Sequence, residues 1–329
     1  MPIESVRAGF RLAMLACVGS AALGVVLSWA PAPARPSSSA PVAAPVAPFV
    51  GAAPARRAHG YGWPLEPFDA VHPVRSGFGD PRFGARQRNF HFGIDIPAAA
   101  RAPVYAVAPG TVFLQPDRVA VLVRRAEGPS GFAYWHVLPA VKEHVFVRTH
   151  QLIGWVNPAW GHLHFAELDD GRWVNPLRPG ALTPEPAPFV PEIARVVAAA
   201  SHGHATIVVD AFAIPPEPPP APWQHAIVSP SLIRWRLLRG AAPVTRWLTA
   251  VDFRGVLPPN RLFARIYAPG TRPTLAGRPG RYLYYLAHDW DVRALPAGRY
   301  TVAVAVLGTR GARAGASASL DIVRTNNAP

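Results

Sequence analysis

The chain has 329 residues, half of them apolar, which is enough to bury two sizeable cores. A single cysteine, Cys17, excludes an internal disulfide and a cysteine-built metal site. The net charge of +14 invites a nucleic-acid partner, but Lys142 is the only lysine among 33 basic residues. The arginines are scattered rather than striped along one face, so nucleic acid is not the expected partner; an evenly basic surface suits attraction to anionic polymers.

Arg7 and Arg11 precede an uncharged apolar run from Leu12 to Trp29, and Ala30-Pro31-Ala32-Pro33-Ala34 follows. This layout predicts an export signal over residues 1–34, cleaved after Ala34. The run is nearly long enough to span a bilayer, so an uncleaved anchor is the alternative, and only then is a membrane a partner. Met14-Leu15-Ala16-Cys17 faintly resembles a lipoprotein box, but the apolar run continues past the cysteine, which argues against a lipid anchor. Residues 35–59 are Pro, Ala and Ser with little to bury and predict a disordered Pro/Ala linker. Folding is expected to begin near Tyr61-Gly62-Trp63-Pro64-Leu65.

The stretch from Ser76 to Asn89, with Gly77, Gly79 and Gly84, reads as a mobile, solvent-facing loop beside a groove. Phe90-His91-Phe92-Gly93-Ile94-Asp95-Ile96-Pro97 then reads as extended chain, because β-branched residues alternate and a proline closes it. His91, Gly93 and Asp95 share one face of such a segment, with a hollow at Gly93. A carboxylate between two isoleucines is costly to bury without a cation or hydrogen bonds. Short β segments follow over Val104 to Ala108, Gly110 to Gln115, Val119 to Arg124, Phe132 to Val137, Leu152 to Val156 and Gly161 to Leu168. In the last, His162 and His164 point one way while Leu163 and Phe165 point the other. One H-x-H alone fits a polar strand face as well as a metal site. Two histidines and one carboxylate converging from two strands make a three-ligand set with the fourth position open, the pattern of catalytic zinc.

Taken in order, these segments resemble the LytM/lysostaphin-type zinc peptidases, which cut peptide bonds in the bacterial cell wall. Phe90 to Asp95 is similar to the first metal motif, and Pro103-Val104-Tyr105-Ala106 with Pro109-Gly110-Thr111-Val112 to the strand pair after it. Tyr134-Trp135-His136-Val137 is similar to the Tyr-x-His-Leu strand, and Gln151-Leu152-Ile153-Gly154 to the turn before the last motif. His162-Leu163-His164-Phe165 is similar to that last motif, and Val174-Asn175-Pro176-Leu177 to the closing strand. The resemblance covers roughly Gly60 to Thr183. It implies that His91, Asp95 and His164 hold Zn2+, with His136 and His162 beside the ion as the catalytic pair, their roles not divided by the sequence. By itself His136 would read as a core histidine. The implied substrate is peptidoglycan, and the implied location is the periplasm or cell envelope, with secretion the further possibility.

The pattern departs from the family after Phe165, where Ala166 stands before Glu167. The one-residue shift turns that carboxylate to the opposite strand face, which puts a supporting role at the metal in doubt. The turn over Val141 to Val147 also matches only loosely.

The domain reading is therefore a zinc peptidase domain over 60–184, a connector over 185–204 and an immunoglobulin-like β-sandwich over 205–325. Alanine-rich Ile193 to Ala200 predicts a short helix, and His202-Gly203-His204 a solvated link with no carboxylate placed against it. Strands are expected over Ala205 to Phe212, Ala226 to Val228, Leu232 to Leu238, Trp247 to Phe253, Arg261 to Tyr267, Tyr282 to His288, Tyr300 to Leu307 and Ala316 to Val323. His288-Asp289-Trp290-Asp291 reads as a turn rather than a calcium loop. The fold class is all-β: a LytM-type β-sheet peptidase domain followed by the sandwich, whose expected role is binding or positioning. Two functions compete, a zinc endopeptidase of peptidoglycan and a non-catalytic wall-binding scaffold or activator of other wall hydrolases. The presence of all five site residues favours the enzyme.

Overall fold

The computed structural model describes residues 60–323, apart from 85–87, 116, 118 and 127. The export signal, anchor and linker expectations for residues 1–59 lie outside the described residues. No described helix is long and apolar enough to cross a membrane.

The first half is built from short strands: β1 (Pro81–Phe83), β2 (Arg88–Phe90), β3 (Ile94–Pro97), β4 (Pro103–Tyr105), β5 (Gly110–Gln115), β6 (Ala120–Arg124), β7 (Gly131–Trp135), β8 (Val137–Pro139), β9 (Phe146–Val147), β10 (Leu152–Val156), β11 (His162–Asp169) and β12 (Arg172–Val174). Its main sheet runs β12-β11-β7-β6-β5-β9, and β3 pairs with β11 end to end with β12. A second sheet, β4-β10-β8, and the antiparallel pair β1-β2 complete this half. Alternation fills the space behind the sheets, where Trp63, Ile94, Ile96, Tyr134, Leu163 and Phe165 are fully buried in one core.

The second half comprises β13 (Val190–Ser201), β14 (His204–Ile214), β15 (Leu232–Arg239), β16 (Ala242–Pro243), β17 (Leu248–Asp252), the one-turn α1 (Phe263–Ile266), β18 (Leu283–Asp291), β19 (Gly298–Leu307) and β20 (Arg313–Ile322). Sheet β13-β14-β18 and sheet β16-β15-β19-β20, with β17 also on β15, share a core built on Ile207, Val209, Trp235, Tyr284, Val302 and Leu320. The molecule is thus almost entirely β.

Four expectations are corrected. Ile193 to Ala200, expected as helix within a connector, lies inside strand β13, which pairs with β14 along its length. Val196, Ala198 and Ala200 alternate onto the core, and His202 (φ 51°) with Gly203 (φ 79°) makes the tight hairpin turn. Hairpin pairing overrides the helix propensity of alanine here. Arg261 to Tyr267, expected as a strand, is a 3-10 turn followed by α1. Its buried residues Phe263, Ile266 and Tyr267 stand at i, i+3 and i+4, which is helical spacing. His288 to Asp291 continues strand β18 rather than turning.

The fourth correction concerns Ser76 to Pro81, which is buried, not solvent-facing. Phe78 and Phe90 belong to the second-half core, while Ala213 and Val228 of the second half, and Phe189 just before it, belong to the first-half core. A Cβ at Gly77 would lie 2.9 Å from Val228 Cβ, and one at Gly79 2.6 Å from the Phe253 ring. Those glycines mark close approach between the halves rather than mobility. Asp80, fully buried, accepts from Ser76 Oγ at 2.6 Å, from Gly77 N–H at 2.8 Å and from Ser229 N–H of the second half at 2.6 Å. Tyr267 OH donates to the Gly79 carbonyl at 2.8 Å. The Ser76–Asp80 turn is therefore clamped between the halves.

Candidate metal centre

Antiparallel pairing of β3 with β11 sets His164 directly opposite Asp95, and Phe165 opposite Ile94. Because side chains alternate, Ile94, Ile96, Leu163 and Phe165 anchor the rear face while Asp95, His162 and His164 share the front. At Gly93 any Cβ would run into the Phe165 carbonyl, so the chain leading into β3 can lie against β11 only with glycine there. His91 reaches the same face from just before Gly93. Its Nδ1 donates to the Gly77 carbonyl at 2.8 Å, which leaves the Nε2 lone pair facing inward.

Three donor atoms meet in a tight triangle. His91 Nε2 lies 2.7 Å from His164 Nδ1, and Asp95 Oδ1 lies 3.1 Å from each. All three residues are buried. In a tetrahedral site with bonds of about 2.0–2.1 Å, donor atoms stand about 3.3 Å apart, so a zinc-sized ion needs the two imidazoles to part by about 0.6 Å and each to move about 0.2 Å from the carboxylate. The charge states suit it. Burial lowers the His91 pKa, aided by Arg82, and burial lowers that of His164 to about 4 against the pull of Asp95. Burial works to raise the Asp95 pKa, but His91, Arg82 and the imidazole hydrogen bonds outweigh it and hold the carboxyl well below its usual range. Two neutral imidazoles and a carboxylate are the ligand forms of these groups. His164 Nε2 is buried without a hydrogen-bond partner.

His136 and His162 adjoin the triangle. His162 Nε2 is 3.6 Å from Asp95 Oδ1, and the His136 ring centroid is 4.7 Å from that of His162. Burial lowers the His162 pKa, and burial together with the two neighbouring imidazoles lowers that of His136 to about 3. His136 stacks on Trp160, with centroids 3.8 Å apart and planes 12° from parallel. His162 Nδ1 lies 2.8 Å from the Trp160 carbonyl and 2.9 Å from Arg75 Nη2. The carbonyl asks for a protonated nitrogen and the guanidinium for a lone pair, so this one atom sits between opposite tautomers.

The structure thus brings together all five residues singled out in the sequence. It adds several that the sequence did not reveal. Arg82 donates to Asp95 Oδ2 and to Ser76 Oγ, both at 2.9 Å, and orients the carboxylate from its far side. Arg75 and Trp160 flank His162, and the Phe92 ring packs 4.4 Å from His164. Only Trp160 carried a local signal, two residues before His162 in a Gly-bounded turn; the arginines arrive through chain folding. Glu167 lies on the rear face, as its shifted position predicts. There it accepts from Tyr61 OH at 2.6 Å and from Arg178 at 2.6 and 2.8 Å, far from any role as a ligand.

A groove runs over the triangle in two lobes. One, of about 300 Å³, is lined by Arg75, His136, Trp160, Trp223, Thr274 and Leu275. The other, of about 370 Å³, is lined by Phe92, Trp135, Trp173, Leu257 and Asn260. His91, His136 and His164 border both. A larger cavity of about 910 Å³ beside Tyr61, Phe68 and His150 contains none of the five residues. At the distant hairpin, His204 does have a carboxylate, Asp289, at 2.9 Å, contrary to expectation. Both are well exposed, and among the described residues only His91, Asp95 and His164 group as three metal-type donors.

No family model matches the chain, and no curated protein matches it. Among solved structures it is similar to Helicobacter pylori Csd3, at 24% identity over 36% of this chain and 34% of that one, TM-score 0.30. It is also similar to the catalytic domain of the antimicrobial peptidase lysostaphin from Staphylococcus simulans, at 21% identity over 32% and 89%, TM-score 0.28. A zinc-containing peptidase from Vibrio cholerae is similar at 23% identity over 35% and 39%, TM-score 0.30. The chain spans about a third of the Csd3 chain's length. LytM/M23 peptidases are thus among the solved structures that the chain resembles.

Proposed function

We propose that this protein is an exported zinc-dependent endopeptidase that hydrolyses peptides of bacterial peptidoglycan, with His91, Asp95 and His164 as the metal ligands. The observation that carries the reading is the buried triangle of three donor atoms, in ligand protonation states, opening onto a two-lobed groove. Peptidoglycan as substrate rests on the motif resemblance.

Zinc held there would polarise the scissile carbonyl and lower the pKa of water towards neutrality. The chain supplies the rest. Asp95 is held by Arg82 and His91 by the Gly77 carbonyl, so two of the three ligands are fixed before an ion arrives. His136 and His162 stand as neutral imidazoles on one side of the triangle. One is placed to take a proton from the attacking water, and the other to hydrogen-bond the developing oxyanion or pass a proton to the leaving amine. Trp160 covers one face of His136 and limits water there.

We assign the peptidase unit to residues 60–184 and an immunoglobulin-like sandwich to the two sheets of the second half, beginning at Val190. A non-catalytic scaffold has no observation in its favour, since no ligand or neighbouring histidine is missing. The test is zinc analysis of the purified chain together with mass spectrometry of digested peptidoglycan. One zinc per chain and new peptide ends are expected, and His164→Ala should lose both. Stoichiometric zinc in that variant would remove His164 from the ligand set, and an intact wall after exposure to zinc-loaded wild type would refute the activity.

A further inference from the structure

We propose that Arg75, stacked on Trp223, forms a carboxylate-binding subsite in the smaller groove lobe, so that the bound peptide carries a free carboxylate on that side of the metal centre. The proposal rests on the peptidase reading above and names the substrate feature that the same groove selects.

The Arg75 guanidinium lies 4.1 Å over the Trp223 ring, and the stacking fixes its plane. One of its nitrogens, Nη2, is 2.9 Å from His162. Among the described residues the other guanidinium N–H groups have no hydrogen-bond partner, and no carboxylate lies within ion-pair distance. Asp95, the one acidic side chain lining this lobe, is already committed through Oδ2 to Arg82 and through Oδ1 to the imidazoles. Burial lowers the Arg75 pKa and outweighs the attraction of nearby Asp95, with Arg82 adding repulsion, so the partly desolvated cation has no anion of its own in contact. A planar guanidinium with free N–H groups in a partly dry groove favours a planar, bidentate anion, and in a peptide that is a carboxylate.

The two lobes differ in chemistry. Arg82 borders both lobes and is paired with Asp95, so the difference is Arg75, which lines only the first, whereas Phe92, Trp135, Trp173 and Leu257 line only the second. A chain crossing the centre would therefore place an anionic group in one lobe and an uncharged one in the other. Trp223 belongs to the second half and is seated there by the Gly277 N–H bond to the Pro222 carbonyl at 2.8 Å. The second half thereby becomes part of the specificity surface.

The test is a fluorescence titration of the full chain after chelator treatment, which prevents turnover and removes any metal–carboxylate contact. The probes are a soluble stem-peptide fragment with a free α-carboxylate and the same fragment with that group amidated. Wild type is expected to prefer the carboxylate by about tenfold or more, the usual worth of a charge-assisted hydrogen bond. Arg75→Gln should abolish the preference, Arg75→Lys retain part of it, and Trp223→Leu weaken it; thermal melts check that each variant folds. Equal binding of both probes by wild type, or an undiminished preference in Arg75→Gln, overturns the subsite. If the preference holds while zinc-loaded protein leaves peptidoglycan intact, the peptidase reading fails and the subsite stands.

Discussion

Cutting the chain back to residues 60–183 should abolish zinc retention, although every candidate ligand lies within that fragment. Phe78 and Phe90 are buried at 3% and 2% exposure within the second-half core, and Phe253 of that half packs on Phe90 with centroids 5.7 Å apart. Burial of a phenylalanine is worth about 1.5–3 kcal/mol, so exposing both costs about 3–6 kcal/mol. Asp80 would also lose the Ser229 N–H, a charge-assisted bond worth about 1.5–3 kcal/mol. Together these approach the whole stability of an ordinary domain, about 5–15 kcal/mol. The loss falls on the Ser76–Asp80 turn, whose Gly77 carbonyl orients His91. The expected fragment, residues 60–183, is aggregated or loosely packed and retains much less than one zinc per chain by elemental analysis after gel filtration. In the intact chain, Phe253→Ala should lower stability by about 3–5 kcal/mol and weaken zinc retention with no ligand touched. A monomeric, cooperatively melting fragment with one zinc that cuts a soluble peptide would refute this coupling.

Three further outcomes follow from the site. His136→Ala and His162→Ala should each lower turnover by about two orders of magnitude or more while zinc content stays at one per chain; full activity in either removes that residue from the mechanism. Glu167→Ala, which strands Arg178 in the core, should cost about 3–5 kcal/mol by chemical denaturation with zinc stoichiometry unchanged, and a loss of zinc instead would place Glu167 in the metal's support. For the metal-free chain, the lowered pKa values of His136 (about 3) and His164 (about 4) mean that the unfolded state binds more protons below the ordinary histidine value. Stability should therefore fall as pH drops from about 6.5 towards 4, and denaturation midpoints unchanged across that window would contradict the burial of these imidazoles.

Much of the site was legible because strand pairing is a parity problem. The alternation in His162-Leu163-His164-Phe165 and in Ile94-Asp95-Ile96 fixes which groups face the groove, and antiparallel pairing sets Asp95 opposite His164. What was not legible depends on contacts between distant segments. Gly77 and Gly79 looked like marks of mobility, yet they let Val228 and Phe253 approach, and no local pattern separates those two uses of glycine. Arg75, Arg82 and Trp223 likewise reach the groove through tertiary folding, in a chain where arginine is too common to stand out. The strand at Val190–Ser201 was hidden by alanine content, whereas its hairpin turn, His202-Gly203, was visible but read as a link.

His136 shows how a local break can reverse a parity argument. In an unbroken strand from Phe132 to Val137, His136 would share the face of Tyr134, which is fully buried and whose hydroxyl accepts from the Val107 N–H at 2.8 Å. A core histidine is then the correct expectation from alternation alone. The structure departs from it because β7 stops at Trp135 and β8 resumes at Val137, with His136 between them at φ 65°. Left-handed backbone in a non-glycine residue carries a cost of order 1–3 kcal/mol and persists only where the surroundings impose it. Here the Asn157 N–H bond to the His136 carbonyl at 2.7 Å and the Trp160 stack hold the kink from both sides. The result is an imidazole turned out of the core to border both groove lobes beside His162 and His164. A strained backbone that moves a titratable group from core to groove is physically sensible if that group works on what the groove binds.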